Sequence, residues 1–128
     1  MNISVLGCGR WGSFIGWYLV NHGNDVYQWG MEGDYTYDVL KNTGKNEYVS
    51  LDSKITLTSD LEAAIKHGDV LVISISSQAL RSFMKRVTEF DVSKKTFVLC
   101  MKGIEIETGK RLSEVMIESG ISPEKIAV

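Results

Sequence analysis

Gly7-Cys8-Gly9-Arg10-Trp11-Gly12 closes the apolar run Ile3-Ser4-Val5-Leu6 and opens a helix-patterned run from Trp11 to His22. Strand, glycine turn and helix in that order are the parts of a dinucleotide cradle. Gly7 permits the sharp exit from the strand, Gly9 lets backbone approach a pyrophosphate, and Gly12 brings the helix against the sheet. The free N–H groups of the helix's first turn then face the anion. The same glycines also suit a tight turn with no ligand, but their place between a strand and a helix favours the cradle.

Working outward, Trp11, Phe14, Ile15, Tyr18 and Leu19 recur at helical spacing and predict the helix face that packs on the sheet. Gly16 allows that helix to lie close to the strands. Asn21-His22-Gly23-Asn24 ends it, with Gly23 suited to a left-handed cap and His22 a terminal residue rather than a catalytic base. Asp25-Val26-Tyr27-Gln28-Trp29 reads as the second strand. In such folds an acid near its end takes the adenine-ribose hydroxyls, and a cation there accommodates the extra phosphate of NADP. Gly30-Met31-Glu32-Gly33 contains an acid and no Lys or Arg, so NAD is expected over NADP. Glu32 is then a ribose ligand or, on the plainer reading, a solvated loop carboxylate.

Asp34 to Lys41 predicts a short helix around Tyr37, Val39 and Leu40, followed by a turn-rich loop at Asn42–Asn46. Tyr35, Tyr37 and Tyr48 read as packing residues. Ile55–Thr58 alternates like a strand, and Ser59-Asp60-Leu61-Glu62 reads as a capping box with Ser59 at the cap of a helix ending near His67. Asp69–Ile75 is the near-continuous β-branched run of a central parallel strand. Ser76-Ser77 then caps a helix whose buried face is Ala79, Leu80, Phe83, Met84, Val87 and Phe90. Thr96–Cys100 is a further buried strand that delivers Met101-Lys102-Gly103-Ile104-Glu105, Thr108–Ser119 a last helix, and Lys125–Val128 the start of a sixth strand. An ending inside that strand is the expectation for the amino-terminal part of a longer protein.

The 128 residues are one domain's worth, and 44% hydrophobic with 23% charged residues is the balance of a globular chain. A net charge of −2 without a Lys/Arg cluster excludes electrostatic binding of nucleic acid or a membrane surface. No run of about 18 apolar residues can span a bilayer, and no basic stretch with an apolar core resembles a leader, so a cytoplasmic location is expected. Strands alternating with helices imply a doubly wound, Rossmann-like α/β fold of order 3-2-1-4-5-6, truncated in its last strand, with residues 1–128 as one nucleotide-binding domain. Ligand would sit where residues 7–12, 74–78 and 100–103 meet. Cys8 and Cys100 fall on strands separated by a third, roughly 9–10 Å apart at about 4.8 Å per strand, beyond the reach of a disulfide. Both are expected free, and no metal site is expected.

With the loops placed, the chain resembles the amino-terminal domain of NAD(P)-dependent glycerol-3-phosphate dehydrogenases. Gly7-Cys8-Gly9-Arg10-Trp11-Gly12-Ser13 resembles the family's G-x-G-x-W-G-[ST], Val26–Gly30 its V-x-x-W-[GA], and Thr58–Leu61 its T-S-D-L. Ser77-Gln78-Ala79-Leu80-Arg81 resembles P-S-Q-A-L-R, and Lys102–Leu112 resembles K-G-[IL]-E-x-E-T-G-x-x-L. The resemblance implies hydride transfer between NAD(P)(H) and sn-glycerol 3-phosphate or dihydroxyacetone phosphate, in a homodimer when full length. It implies that Arg10 and Trp11 contact the cofactor diphosphate and that Met31 occupies the place of a basic residue reading the adenosine phosphate in NADP-using members. It further implies that Lys102 touches cofactor and substrate. A fixed ammonium at a strand's carboxyl end suits that independently, by stabilising developing negative charge; the plainer reading is a surface lysine.

Ser76 stands where the family usually has proline, and Tyr48-Val49-Ser50 meets its Y-L-P-G only in part. The family's helical second domain, which carries the general-base lysine, has no counterpart in these residues, so no catalytic residue is assigned here. Two other readings differ in class: a related two-domain dehydrogenase such as ketopantoate reductase, which Trp11 and Lys102-Gly103-Ile104-Glu105 oppose, and a non-catalytic dinucleotide-sensing module.

Overall fold

A computed structural model describes residues 1–128. Six parallel strands form one sheet: β1 Asn2–Leu6, β2 Asp25–Trp29, β3 Thr56–Thr58, β4 Val70–Ile73, β5 Thr96–Leu99 and β6 Ile126–Ala127. Their order is β3-β2-β1-β4-β5-β6, as expected. The register sets Leu6 beside both Trp29 and Ile73, and Ile73 beside Leu99. The carboxyl ends of β2, β1, β4 and β5 therefore finish level, and the loops leaving them share one edge.

Strand alternation divides the core. On one face Leu6, Trp29, Leu71, Ile73, Phe97 and Leu99 pack beneath α3 Leu61–His67, α4 Leu80–Val87 and α5 Leu112–Glu118. On the other, Ile3, Val5, Val26 and Val72 meet α1 Arg10–Asn21. Helix α2, Tyr35–Thr43, closes over Cys8 through Tyr37 and Leu40.

The burial of α1 departs in part from the expectation set by its apolar spacing. Ile15 and Leu19 pack against the core as expected, half-buried, but Trp11, Phe14 and Tyr18 are exposed, and the buried residues are Gly12, Ser13, Gly16 and Val20. The cause is close approach. A Cβ on Gly12 would collide with the Gly7 carbonyl, and one on Gly16 would collide with the amide end of Gln28. Gln28 is itself fully buried on β2; its Nε2 donates to the Gly7 carbonyl while its Oε1 has no hydrogen-bond partner. The aromatic side chains instead run along the outside of α1, Trp11 and Phe14 edge to face with ring centroids 5.9 Å apart and Tyr18 and His22 stacked at 4.0 Å.

Other differences are local. The cap of α3 is Asp60, whose carboxylate accepts from the Ala63 N–H at 3.0 Å, not Ser59; Glu62 instead pairs with Lys66. The last helix begins at Leu112 rather than Thr108, because residues 104–111 fold back on themselves through an Ile104–Arg111 bridge. Of the three tyrosines read as packing residues, only Tyr37 is buried; Tyr35 is 82% exposed and Tyr48 52%.

Candidate functional site

Two neighbouring cavities open at the carboxyl edge of the sheet. The larger, ≈ 590 Å³, lies between the turn after β1, the end of β2 and the start of α4. Its walls include Gly7, Gly9, Trp11, Met31 and Arg86. The smaller, ≈ 470 Å³, shares Trp11, Ser74, Ile75 and Ser76 with it and adds Cys100, Met101 and Lys102. The three loops expected to meet do so, with the exposed Trp11 standing between the two spaces.

Each glycine of the turn has a distinct environment. Gly7 has φ +133°, and a Cβ there would run into the Ser74 carbonyl of the adjoining loop. The β1 exit and the β4 exit are thus packed backbone to backbone. Gly9, by contrast, has ordinary extended backbone (φ −71°, ψ −170°), and a Cβ there would have no neighbour within 4 Å. Since Gly9 lines the larger cavity, a side chain there would take up open space at the cavity wall rather than press on the fold. Gly9 also caps α1, whose first turn carries no acid and no side-chain cap. The leading N–H groups of a 12-residue helix are therefore unclaimed by side chains, as an anion site requires. Volume, glycine clearance and free amide donors together fit a dinucleotide.

The remaining predicted site residues divide. Arg10 lines the larger cavity, and its Nη2 donates to the Tyr48 hydroxyl at 2.6 Å with the guanidinium 4.5 Å from that ring's centre. Met31 is on the wall. Glu32 is not: its carboxylate accepts from Lys41 Nζ at 2.9 Å, outside both cavities. Lys102 lines the smaller cavity, is exposed and enters none of the ion pairs.

What fixes the Lys102 loop is a clamp from the 3-10 turn at Ser77–Ala79 and the first turn of α4. The Gln78 side chain donates to the Ile104 carbonyl at 2.9 Å and accepts from the Ile106 N–H at 2.9 Å, completing both halves of an amide pair. Arg81 grips the buried Glu105 carboxylate with two parallel bonds of 2.9 Å, and Thr108 Oγ1 donates to the same group at 2.6 Å. Such forked pairing fixes direction as well as distance. The Arg81 guanidinium and the Thr108 hydroxyl hold Glu105 down at about 2, well below the usual carboxylate range. Arg81 also reaches Glu118 at 2.8 Å, tying the loop to α5.

Sequence reasoning quoted Gln78, Arg81 and Glu105 as motif letters but gave them no structural task. It missed Gln28 and the cavity's Asp34, Thr36, Ser82 and Arg86 altogether. Cys8 is no nucleophile: its Sγ–H donates to the Trp29 carbonyl at 3.4 Å, and burial pushes the thiol up to about 12. Both cysteines are free.

An open parallel sheet whose order reverses beside a glycine turn, with a ligand-sized cavity at that point, defines a Rossmann-type dinucleotide-binding domain. The comparisons with known proteins narrow the class. The family model for the NAD-dependent glycerol-3-phosphate dehydrogenase N-terminus matches residues 2–128, and the chain belongs to that family. It is 34% identical over 133 residues to the glycerol-3-phosphate dehydrogenase [NAD(P)+] of Prosthecochloris aestuarii, covering 100% of this chain and 40% of that protein. It is 38% identical over 126 residues to the corresponding protein of Staphylococcus aureus, covering 95% of this chain and 37% of the relative. The chain thus spans about two-fifths of the length of these relatives. Among solved structures, the glycerol-3-phosphate dehydrogenase of Coxiella burnetii superposes with a TM-score of 0.80 at 24% identity, over 91% of this chain and 37% of the other. That of Saccharomyces cerevisiae gives 0.75 at 21% identity, over 94% and 40%. No helix is long and apolar enough to cross a membrane.

Proposed function

We propose that residues 1–128 are the dinucleotide-binding domain of a glycerol-3-phosphate dehydrogenase that passes hydride between NAD(P)(H) and the glycerol 3-phosphate/dihydroxyacetone phosphate pair. The observation that carries the reading is Gly9, whose clearance faces the ligand cavity while Gly7 and Gly12 are packed against backbone. When bound, the nicotinamide would accept the hydride from glycerol 3-phosphate or, reduced, give it to dihydroxyacetone phosphate. The chain's own residues bind and orient. The α1 amides and Arg10 hold the diphosphate, Trp11 separates the two cavities, and Lys102 presents an ammonium to the phosphate or reacting oxygen of the substrate. The general base lies on the part of the relatives' length that these residues do not span, in a cytoplasmic homodimer.

Calorimetric titration of the purified chain with NAD and ADP-ribose tests this. The two are expected to bind comparably, because the contacts built here lie on the adenosine diphosphate half. Gly9→Val is expected to abolish binding while lowering the unfolding midpoint only by the loss of a favoured helix-cap residue, since a Cβ there has no protein neighbour within 4 Å. Unaltered affinity in Gly9→Val would overturn the reading.

A further inference from the structure

The end of β2 offers no cation of its own, since Gly30-Met31-Glu32-Gly33 carries only an acid. The structure brings one from elsewhere. Arg86, in the last turn of α4, reaches across to the strand end, with its Nη1 3.6 Å from Met31 Sδ and its guanidinium carbon 5.7 Å from the centre of the Trp29 ring. It is one of two cations on the wall of the larger cavity, the other being Arg10 at the glycine turn. The nearby charges have other partners: Arg81 is held by Glu105 and Glu118, and Lys41 by Glu32. Arg86 has no carboxylate partner in any of the seven ion pairs. Pairing with Lys41 also removes Glu32 as a source of repulsion. The cavity's single carboxylate is Asp34, and the hydroxyls of Thr36 and Ser82 share its wall.

An unpaired guanidinium is the group best matched to a phosphomonoester, offering paired donors to paired oxygens. The cation–π contact with Trp29 at 5.7 Å holds the guanidinium at the cavity wall without consuming those donors. We infer that Arg86 reads the adenosine 2′-phosphate of NADP, so that cofactor choice is set from α4 rather than from Met31 and Glu32, and NADP is accepted alongside NAD. The inference rests on the dinucleotide reading given above.

The test titrates the purified chain, Arg86→Gln and Arg86→Lys with NAD and with NADP at low and high salt. Arg86→Gln is expected to weaken NADP binding about tenfold or more, the worth of a hydrogen bond to a charged group. NAD affinity should stay within about twofold of wild type, because NAD has no phosphate at that position. Arg86→Lys retains the charge without the fork and should fall between, and the wild-type preference should shrink as salt screens it. Equal losses for both nucleotides, no loss for either, or a wild-type chain that binds NAD and refuses NADP would each overturn the inference and leave the dinucleotide reading standing. Failure of both nucleotides to bind wild type would remove the reading and the inference together.

Discussion

Helices α1 and α4 lie on opposite faces of one sheet, and both carry large apolar side chains at helical spacing. They meet the strands in opposite ways. Helix α4 stands off at side-chain distance and buries Leu80, Phe83, Met84 and Val87, and Phe83 meets Trp29 with ring centres 5.3 Å apart. Helix α1 has come down at its amino-terminal half until backbone touches backbone, so its contact stripe begins with Gly12, Ser13 and Gly16 and adds Ile15, Leu19 and Val20 to them. A helix that must aim its N-terminal amides at a ligand held above the sheet is placed by its glycines. A helix that only closes the core is placed by its hydrophobes.

The contrast can be broken most sharply on α4. Met84→Ala empties a fully buried site and should cost about 2–5 kcal/mol, read as a lowered denaturant midpoint with unchanged slope. On α1 the corresponding injury is an addition. Gly12→Ala improves helix propensity by about 1 kcal/mol, but its methyl must displace the Gly7 carbonyl, an overpacking penalty at the upper end of about 1–3 kcal/mol. The net outcome should be destabilisation with weakened nucleotide binding. Gly16→Ala should be milder, because it presses on the Gln28 side chain rather than on backbone. A stabilised Gly12→Ala would show that α1 is free to stand off as α4 does.

A smaller effect separates the helices by pH. The Glu105 carboxyl that anchors Arg81 of α4 titrates at about 2 in the fold instead of its ordinary 4.5. A lowered carboxylate stabilises above its unfolded value, so this contribution is complete above about pH 4.5 and is lost as pH falls toward 2. Glu105→Gln should flatten the acid limb of the stability profile over that window, and an identical profile in the variant would count against the clamp. The smallest change is expected on the outer face of α1: Phe14→Ser, 39% exposed but within the aromatic row, should lower stability by about 1 kcal/mol or less.

The same contrast explains how much was legible beforehand. Strand order, the glycine turn and the central face of α4 (Leu80, Phe83, Met84, Val87) follow from patterns within a few residues of one another and are present, although Ala79 and Phe90, read onto the same face, lie just outside the helix. The buried face of α1 was hidden because period counting weighs hydrophobicity, whereas the decisive quantity was the absence of a Cβ at Gly12 and Gly16. The Glu105 clamp joins residues 24 apart in sequence, and Arg86 meets Met31 across 55. Neither leaves a local spacing to detect. Lys102 was singled out through the motif at Lys102–Leu112 rather than through any spacing of its own, and it lines the smaller cavity.

Trp11 gives the domain an optical property. The chain has three tryptophans: Trp29 is 3% exposed, Trp17 38% and Trp11 59%. Only Trp11 stands on the walls of both cavities. Its indole emits from water, while Trp29, which lines the larger cavity alone, emits from the core. A ligand in the smaller cavity should therefore change the intrinsic fluorescence through Trp11 alone and one in the larger through both rings, without a label, and Trp11→Phe should silence the first signal while leaving the Trp29 part of the second.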